Sequence, residues 1–498
     1  MFRFQRKVYL DNNATTPVTK NVRKKINQVL KRYYGNPSSL YKIAINSAIE
    51  LEESRKTVAK AINAEVDEII FTACATESNN TVLKGLAEIS YPGKKKILST
   101  PIEHPSVIST LEYLKAKGIL VEYIPVDRQG IIEFESLKEL VDEDTFLICC
   151  MFANNELGTI QDIKKISALA KKYHVPVFSD CVQALGKIQV DVKDLGIDYA
   201  SFSGHKIHSP KGIGALFVKE GSPFQSFMHG GHQETGLRAG TEALHNIAGF
   251  AEGCKAINLQ KSPQVLSKKT LLINELKKIK SDIKINSPVD ECLPNTVNIT
   301  LPGVSNSLFM ATLDFYGIAV SAGSACSTPE NKPSPVLTAI GLTDEQARET
   351  IRISLSEFTS YRDIKYTIKV IRNFLSEAAL PVNILTPKQL DENLIFGENN
   401  YILDVRWRYE RKLLKGLPNS NEAPFVTFRK YYKQIPRDKN IILVCQAGYN
   451  APVVAFYLRS KGYRKVSFLM SGLIGWKFVN AELYNKIAGQ NITSLKPV

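Results

Sequence analysis

The chain has 498 residues, of which 44% are hydrophobic and 23% charged. These are ordinary proportions for globular protein, and the length suits about three folding units. The net charge is +15. No run approaches the roughly 18 apolar residues of a membrane span, and the opening residues Met1 to Lys7 lack the apolar stretch of a secretory signal, so a cytoplasmic location and no membrane partner are expected.

The first periodic segment, Ile45–Ile62, predicts a helix. Short apolar runs then recur at Ile97–Leu98, Phe146–Phe152, Val175–Phe178, Tyr199–Phe202 and Gly214–Val218, and a second helical pattern, Ile160–Tyr173, lies among them. Alternating strands and helices predict an α/β fold with a largely parallel sheet. Ligands of such sheets lie beyond the carboxyl ends of the strands. Polar clusters occupy those ends at Thr100–Ser106, Asn154–Gly158, Ser179–Gln183 and Ser203–Lys206, which implies one composite site. A boundary is expected near 376–398, where Pro381 and Pro387 interrupt the pattern and a polar stretch runs from Asp391 to Asn400. Residues 381–498 are basic, with 18 Lys/Arg against 8 Asp/Glu. An acidic protein partner fits that balance; no RNA-binding motif accompanies it, so direct nucleic-acid binding is not expected. The eight cysteines form no C-x-x-C pair, so neither a zinc site nor a disulfide framework is expected, and no metal is called for. Cys74, Cys149, Cys150, Cys181, Cys254 and Cys292 are read as structural.

Several of the clusters carry chemistry. Ser203-Gly204-His205-Lys206 closes a strand, and a desolvated lysine there can form a Schiff base with an aldehyde cofactor. A carboxylate such as Asp180, with Gln183 after it, can keep a pyridine nitrogen protonated so that the ring accepts electrons. Small residues and hydroxyls over Thr72–Asn80 suit a phosphate at a helix start. Glu103-His104-Pro105-Ser106 supplies a ring that could stack on a cofactor.

Taken together, Tyr9-Leu-Asp-Asn-Asn-Ala-Thr-Thr-Pro17, Gly35-Asn-Pro-Ser-Ser39, Ala75-Thr-Glu-Ser-Asn-Asn80, Glu103-His-Pro-Ser106, Asn154-Asn-Glu156, Ser203-Gly-His-Lys206, Gly236-Leu-Arg-Ala-Gly-Thr-Glu242, Ser321-Ala-Gly-Ser-Ala-Cys326 and Ile351-Arg-Ile-Ser354 resemble, in order, the NifS/IscS cysteine desulfurases over about residues 8–376. The resemblance implies the fold type I architecture of pyridoxal 5'-phosphate enzymes: a large, mainly parallel-sheet domain over about 15–260 and a smaller α/β domain from the N-terminal residues and about 261–376. It implies that Lys206 carries the cofactor covalently, that Asp180 pairs with the pyridinium nitrogen and that Gln183 bonds the ring oxygen. His104 would stack on the ring and move protons. Thr76, Ser203 and His205 would hold the phosphate beside Ala75, and Thr241 would reach it from the second subunit of a homodimer. Asn155 and Arg352 would hold the carboxylate of the substrate, L-cysteine, since a guanidinium fork matches two oxygens. A thiolate at Cys326 would take the sulfur as a persulfide and leave L-alanine. The chain departs from the pattern at Tyr41, Cys74 and Cys181, and Glu357 alters the charge beside the substrate pocket.

After a linker expected at 377–398, residues 399–498 resemble rhodanese modules through Leu403-Asp-Val-Arg406, Ile441-Ile-Leu-Val-Cys-Gln-Ala-Gly-Tyr-Asn450 and the stretch ending in Leu473-Ile-Gly-Trp476. Cys445 aligns with the sulfur-carrying cysteine of that family. Ala451 replaces the arginine a phosphatase relative would need, which points to sulfur rather than phosphate. A relay from Cys326 to Cys445, and on to a sulfur-acceptor protein for iron–sulfur cluster assembly or thiolation, is the leading expectation. A selenocysteine lyase or related transaminase is one alternative, and a partner-docking platform built on the C-terminal domain is the other.

Overall fold

The computed structural model describes residues 7–90, 93–322, 333–377 and 382–489. The first strand, β1 (Val8–Tyr9), pairs far along the chain. The apolar runs then fold as β2 (Ile69–Thr72), β3 (Lys96–Ser99), β4 (Leu120–Tyr123), β5 (Thr145–Cys149), β6 (Val177–Asp180), β7 (Tyr199–Ser203) and β8 (Gly214–Val218). They form a seven-stranded sheet in the order β2-β8-β7-β6-β5-β3-β4. Within it only β8 runs against its neighbours. Both faces of this sheet are covered, which is why its strands read as continuous apolar runs. Leu98, Ile148 and Phe202 join one buried cluster, while their neighbours Ile97, Leu147 and Tyr199 join the cluster on the opposite face. The helix expected at Ile45–Ile62 spans Lys42–Ile62, and that expected at Ile160–Tyr173 spans Ile163–Lys172.

A second unit holds β9 (Lys284–Ile285), β10 (Thr296–Thr300), β11 (Ile318–Ala319) and β12 (Thr350–Ser354). β10 pairs antiparallel with both β9 and β12, and β11 pairs in parallel with β1. Ser321 bridges to Arg352, and Asp11 to Ser354. The N-terminal residues therefore belong to this unit's sheet edge and pass from it across the carboxyl ends of the large sheet.

The C-terminal unit is a sheet of five strands among the described residues: β13 (Asn383–Leu385), β14 (Asn400–Asp404), β15 (Asn421–Glu422), β16 (Asn440–Val444) and β17 (Val466–Leu469), all parallel, in the order β13-β17-β16-β14-β15. The stretch 377–398, expected as linker, differs from that reading. Asn383–Leu385 is an edge strand against β17, and Glu392–Phe396 is a helix capped by Asp391. A three-residue strand is too short to show a period. The apolar side chain of Phe315, at the end of the helix Asn306–Phe315, leaves its own unit and packs in the C-terminal one. Its ring lies 5.0 Å from Phe425 and 5.3 Å from Tyr457, centroid to centroid. Arg429 stacks over the neighbouring Tyr316 ring at 4.7 Å. The two units are thus joined by a buried aromatic contact. Among the described residues, no helix is long and apolar enough to cross a membrane.

Candidate active site

The strand ends of the large sheet converge on a cavity of about 390 Å³ whose lining includes Ala75, Thr76, His104, Asn155, Asp180, Gln183, Ser203, His205, Lys206 and Arg352. That volume falls in the range of small-molecule sites. Ten residues expected from different parts of the chain are therefore neighbours. Asp180 ends β6 and is buried. Its Oδ2 accepts from Asn79 Nδ2 at 3.1 Å and its Oδ1 from the Val182 N–H at 3.0 Å. These donors hold a carboxylate on the cavity wall. Lys206 ends the 3₁₀ turn Gly204–Lys206 that follows β7. Its Nζ donates to the carbonyls of Asn13 at 2.7 Å and Ala14 at 2.8 Å. Burial, and then the charge of Arg352, pushes its pKa down to about 8. A substantial fraction of the amine is therefore neutral near physiological pH, as a nucleophile requires.

His104 caps the helix Pro105–Lys115: its Nδ1 accepts from the Ser106 N–H at 3.1 Å. That bond leaves the proton of the neutral ring on Nε2. Burial pushes its pKa below the ordinary histidine value, against the pull of Asp180. His205, tied to Thr15 Oγ1 at 3.1 Å, is pushed down to about 4 by burial and by Lys206, Lys211 and Lys187. It is a neutral hydrogen-bonding group. Ala75 and Thr76 open the helix Ala75–Ser90 and line the cavity, and a helix start suits an anion.

Arg352 sits mid-strand in β12, only 4% exposed. Its Nη2 pairs with Asp11 Oδ1 at 2.9 Å and its Nη1 donates to the Asn155 carbonyl at 3.0 Å. Its Nε–H is buried with no partner among the described residues, and so is Asn79 Oδ1 beside Asp180. Buried polar atoms are normally satisfied. A guanidinium, a fixed carboxylate and an amine lining one cavity match a ligand with an acid group, a ring nitrogen and a carbonyl-derived carbon. Pyridoxal phosphate carrying an amino acid has that shape, and these residues fit it.

The sequence motif Tyr9–Pro17 carries residues with no role assigned from sequence. Asn13 links most of the site. Its carbonyl accepts from Lys206 and from Gln183 Nε2 at 3.0 Å, and its amide donates to the Asn155 carbonyl at 3.1 Å and to Thr296 Oγ1 at 2.8 Å. Lys187 was also missed. It holds Gln183 Oε1 at 2.7 Å, and burial with the charges of Lys206 and Arg352 lowers its pKa to about 7. Only its spacing of four from Gln183 within one turn could have signalled it. Glu103 is fully enclosed, and burial pushes its carboxyl up to about 8. Glu357 pairs with Lys261, which neutralises the charge introduced there. Thr241 is exposed and does not line the cavity formed by this single chain. Cys326 lies outside the described residues.

Cys445 stands apart from this cavity, just after β16. Its Sγ accepts from the Gly448 N–H at 3.2 Å. Burial raises its pKa, opposed by the N–H groups of Ala451, Asn450, Gly448 and Ala447. Those amides form a cradle for an anionic sulfur. Beneath it, Arg406 binds Asp404 through Nε and Nη2, the Leu414 carbonyl at 2.7 Å and Gln446 Oε1 at 3.3 Å.

Two family models match the chain: aminotransferase class-V over residues 8–366 and rhodanese-like domain over residues 386–478. The protein named cysteine desulfurase IscS from Dictyoglomus turgidum is 38% identical over 376 residues, covering 75% of this chain and 95% of its own. The one from Methanosarcina thermophila is 38% identical over 387 residues, covering 77% and 95%. Among solved structures, a NifS-like protein superposes with a TM-score of 0.71 at 38% identity, covering 74% of this chain and all of its own. SspA in complex with cysteine gives 0.65 at 34% identity, covering 71% and 100%.

Proposed function

Since the chain belongs to the cysteine desulfurases of the class-V aminotransferase family and ends in a rhodanese-like domain, we propose that it converts L-cysteine to L-alanine and passes the sulfur from Cys326 to Cys445. The observation that carries the reading is one cavity shared by the Lys206 amine, the Asp180 carboxylate and the half-satisfied Arg352 guanidinium. Bound pyridoxal phosphate supplies the electron sink that lets the Cα–H and Cβ–S bonds of cysteine break.

The chain's own residues do the rest. Lys206 holds the cofactor through its neutral amine, and Asp180, braced by Asn79 and Val182, keeps a positive ring nitrogen in place. Lys187 and the Asn13 carbonyl fix the carboxamide of Gln183 beside the ring. Thr76, Ser203 and neutral His205 donate to the phosphate. Arg352, which lines the cavity, receives the substrate carboxylate, with Asn155 beside it and Asp11 steadying the guanidinium. His104, with its proton on Nε2, is placed to shuttle a proton at the reacting carbon. The Cys326 thiolate attacks the substrate sulfur. The carbon–sulfur bond breaks as the sulfur–sulfur bond forms, and protonation of the carbon yields alanine. A second thiolate, Cys445, then takes the outer sulfur within its amide cradle.

The exposed Thr241 fits a phosphate contact made across a homodimer. A cytoplasmic setting suits the free thiols, and a sulfur-acceptor protein completes the turnover. The test is to give L-cysteine to the reconstituted protein and follow alanine release and persulfide formation by mass spectrometry. Label is expected first at Cys326 and then at Cys445. A Cys326→Ser variant that releases alanine at the parent rate would refute the assignment.

A further inference from the structure

The loops after β14, β16 and β17 leave the same edge of the C-terminal sheet, because those strands are parallel neighbours. They meet around Cys445. The Leu473 N–H donates to the Cys445 carbonyl at 2.8 Å, and the Ile474 N–H to the Gln446 carbonyl at 3.0 Å. Arg406 reaches Gln446 from the β14 side. Each loop carries a part-exposed large apolar side chain: Trp407, Tyr449, Met470 and Ile474 are between 37% and 58% exposed, Trp407 lining a cleft shared with Lys7 and Asp314 and Tyr449 one shared with Ser305 and Arg348. Aromatic residues and Met are the types enriched in protein interfaces, and apolar side chains clustered at a reactive residue mark a binding surface.

The charge around this collar is mostly positive. Arg408, Lys412 and Lys477 are exposed on its rim. Of the nearby acids, Glu422 pairs with Arg411 and Asp404 is buried against Arg406, while Glu410 keeps its charge and accepts from the Trp407 N–H. The Cys445 residue itself is 1% exposed. A persulfide would place its outer sulfur about 2 Å further out, so an acceptor must come close against the collar to reach it.

We infer that the collar of Trp407, Tyr449, Met470 and Ile474 is the docking surface for a sulfur-accepting protein that presents a cysteine thiol within an acidic patch. The inference rests on Cys445 carrying sulfur, as proposed above. In the transfer, the acceptor thiolate attacks the outer sulfur of the Cys445 persulfide. The old sulfur–sulfur bond breaks with its electron pair left on Cys445 Sγ, and a persulfide forms on the acceptor, with no external oxidant or reductant.

The experiment loads the full-length holoenzyme with radiolabelled L-cysteine. It then offers a peptide with one cysteine flanked by glutamates, the same peptide with lysines, or 2-mercaptoethanol. The glutamate peptide is expected to gain label at least ~10-fold faster at low salt, an advantage that fades as salt screens it. Lys412→Glu with Lys477→Glu should reverse the preference. Ile474→Asp should slow transfer to the peptide while transfer to 2-mercaptoethanol holds. Equal labelling of the two peptides at low salt, or an unchanged preference in the charge-reversed or Cys445→Ser proteins, overturns the inference. Alanine release separates the two readings: if it proceeds while Cys445 gains no label, the docking surface and the relay fall and the desulfurase stands. If alanine is not released at all, the desulfurase reading fails as well.

Discussion

Truncating Phe315 should uncouple the two sulfur-handling units. The ring is 1% exposed, and three of its four aromatic neighbours, Phe425, Phe428 and Tyr457, belong to the C-terminal unit, the fourth being the adjacent Tyr316. Replacing a buried Phe by Ala removes the transfer energy of the ring and leaves a cavity, at about 3–5 kcal/mol. Little of this falls on the unit that contributes the residue, because the ring packs across the junction. Docking should therefore weaken by roughly two to three and a half orders of magnitude at 1.4 kcal/mol per decade. Differential scanning calorimetry of Phe315→Ala should resolve two transitions where the parent shows one, with Phe315→Leu in between. Protease should cut faster between the helix Tyr361–Glu377 and Asn383. Loading of Cys445 from L-cysteine should slow, while alanine release with a small thiol holds. A single transition within about 1 °C of the parent, far below the several degrees that a loss of this size implies, together with unchanged cleavage, would refute the reasoning.

Other outcomes follow from the same geometry. Cofactor capture needs the neutral Lys206 amine, whose pKa is lowered to about 8, so uptake of pyridoxal phosphate by the apoprotein should accelerate from pH 7 and level off above pH 8–9; a flat profile in stopped-flow absorbance would contradict this. Because that pKa lies below the unfolded value of 10.5, the unfolded chain binds more protons between the two values, and the group's contribution to apoprotein stability rises with pH across that window. Lys206→Met should accordingly flatten the rise in urea midpoint between pH 8 and 10. Arg406→Met should cost about 3–5 kcal/mol by stranding the buried Asp404 carboxylate, seen as a C-terminal transition that splits off to lower temperature from the parent's single one. Gly448→Ala should abolish labelling of Cys445, because Gly448 has φ +90 and an added Cβ would lie 2.9 Å from the Ser471 nitrogen. Arg352→Gln should raise the KM for cysteine by about 10²-fold, the value of a lost charge-assisted fork.

Much of the site was legible because its residues sit at strand ends, where a short polar cluster after an apolar run is a local signal. Asp180, Ser203 and Lys206 could be placed from that pattern. Asn13 and Asp11 could not. Their motif was visible, but they reach the cavity only because β1 pairs with β11 across some 310 residues and Asp11 bridges to Ser354. Lys187 was hidden for another reason. A lysine reads as surface, and only packing around the Gln183 side chain encloses it.

Order along the chain specifies the chemistry on offer: which amine, carboxylate, guanidinium and thiols the chain carries, and the apolar periods that fold them into largely parallel sheets. Those are properties of neighbours along the chain. Tertiary structure decided what the chemistry faces. It enclosed the Arg352 guanidinium with one N–H unpaired among the described residues, lowered the Lys206 pKa by burial, seated Phe315 in another unit's core and gathered three loops around Cys445. Each depends on desolvation and packing between residues far apart in the chain, which only the folded chain brings about.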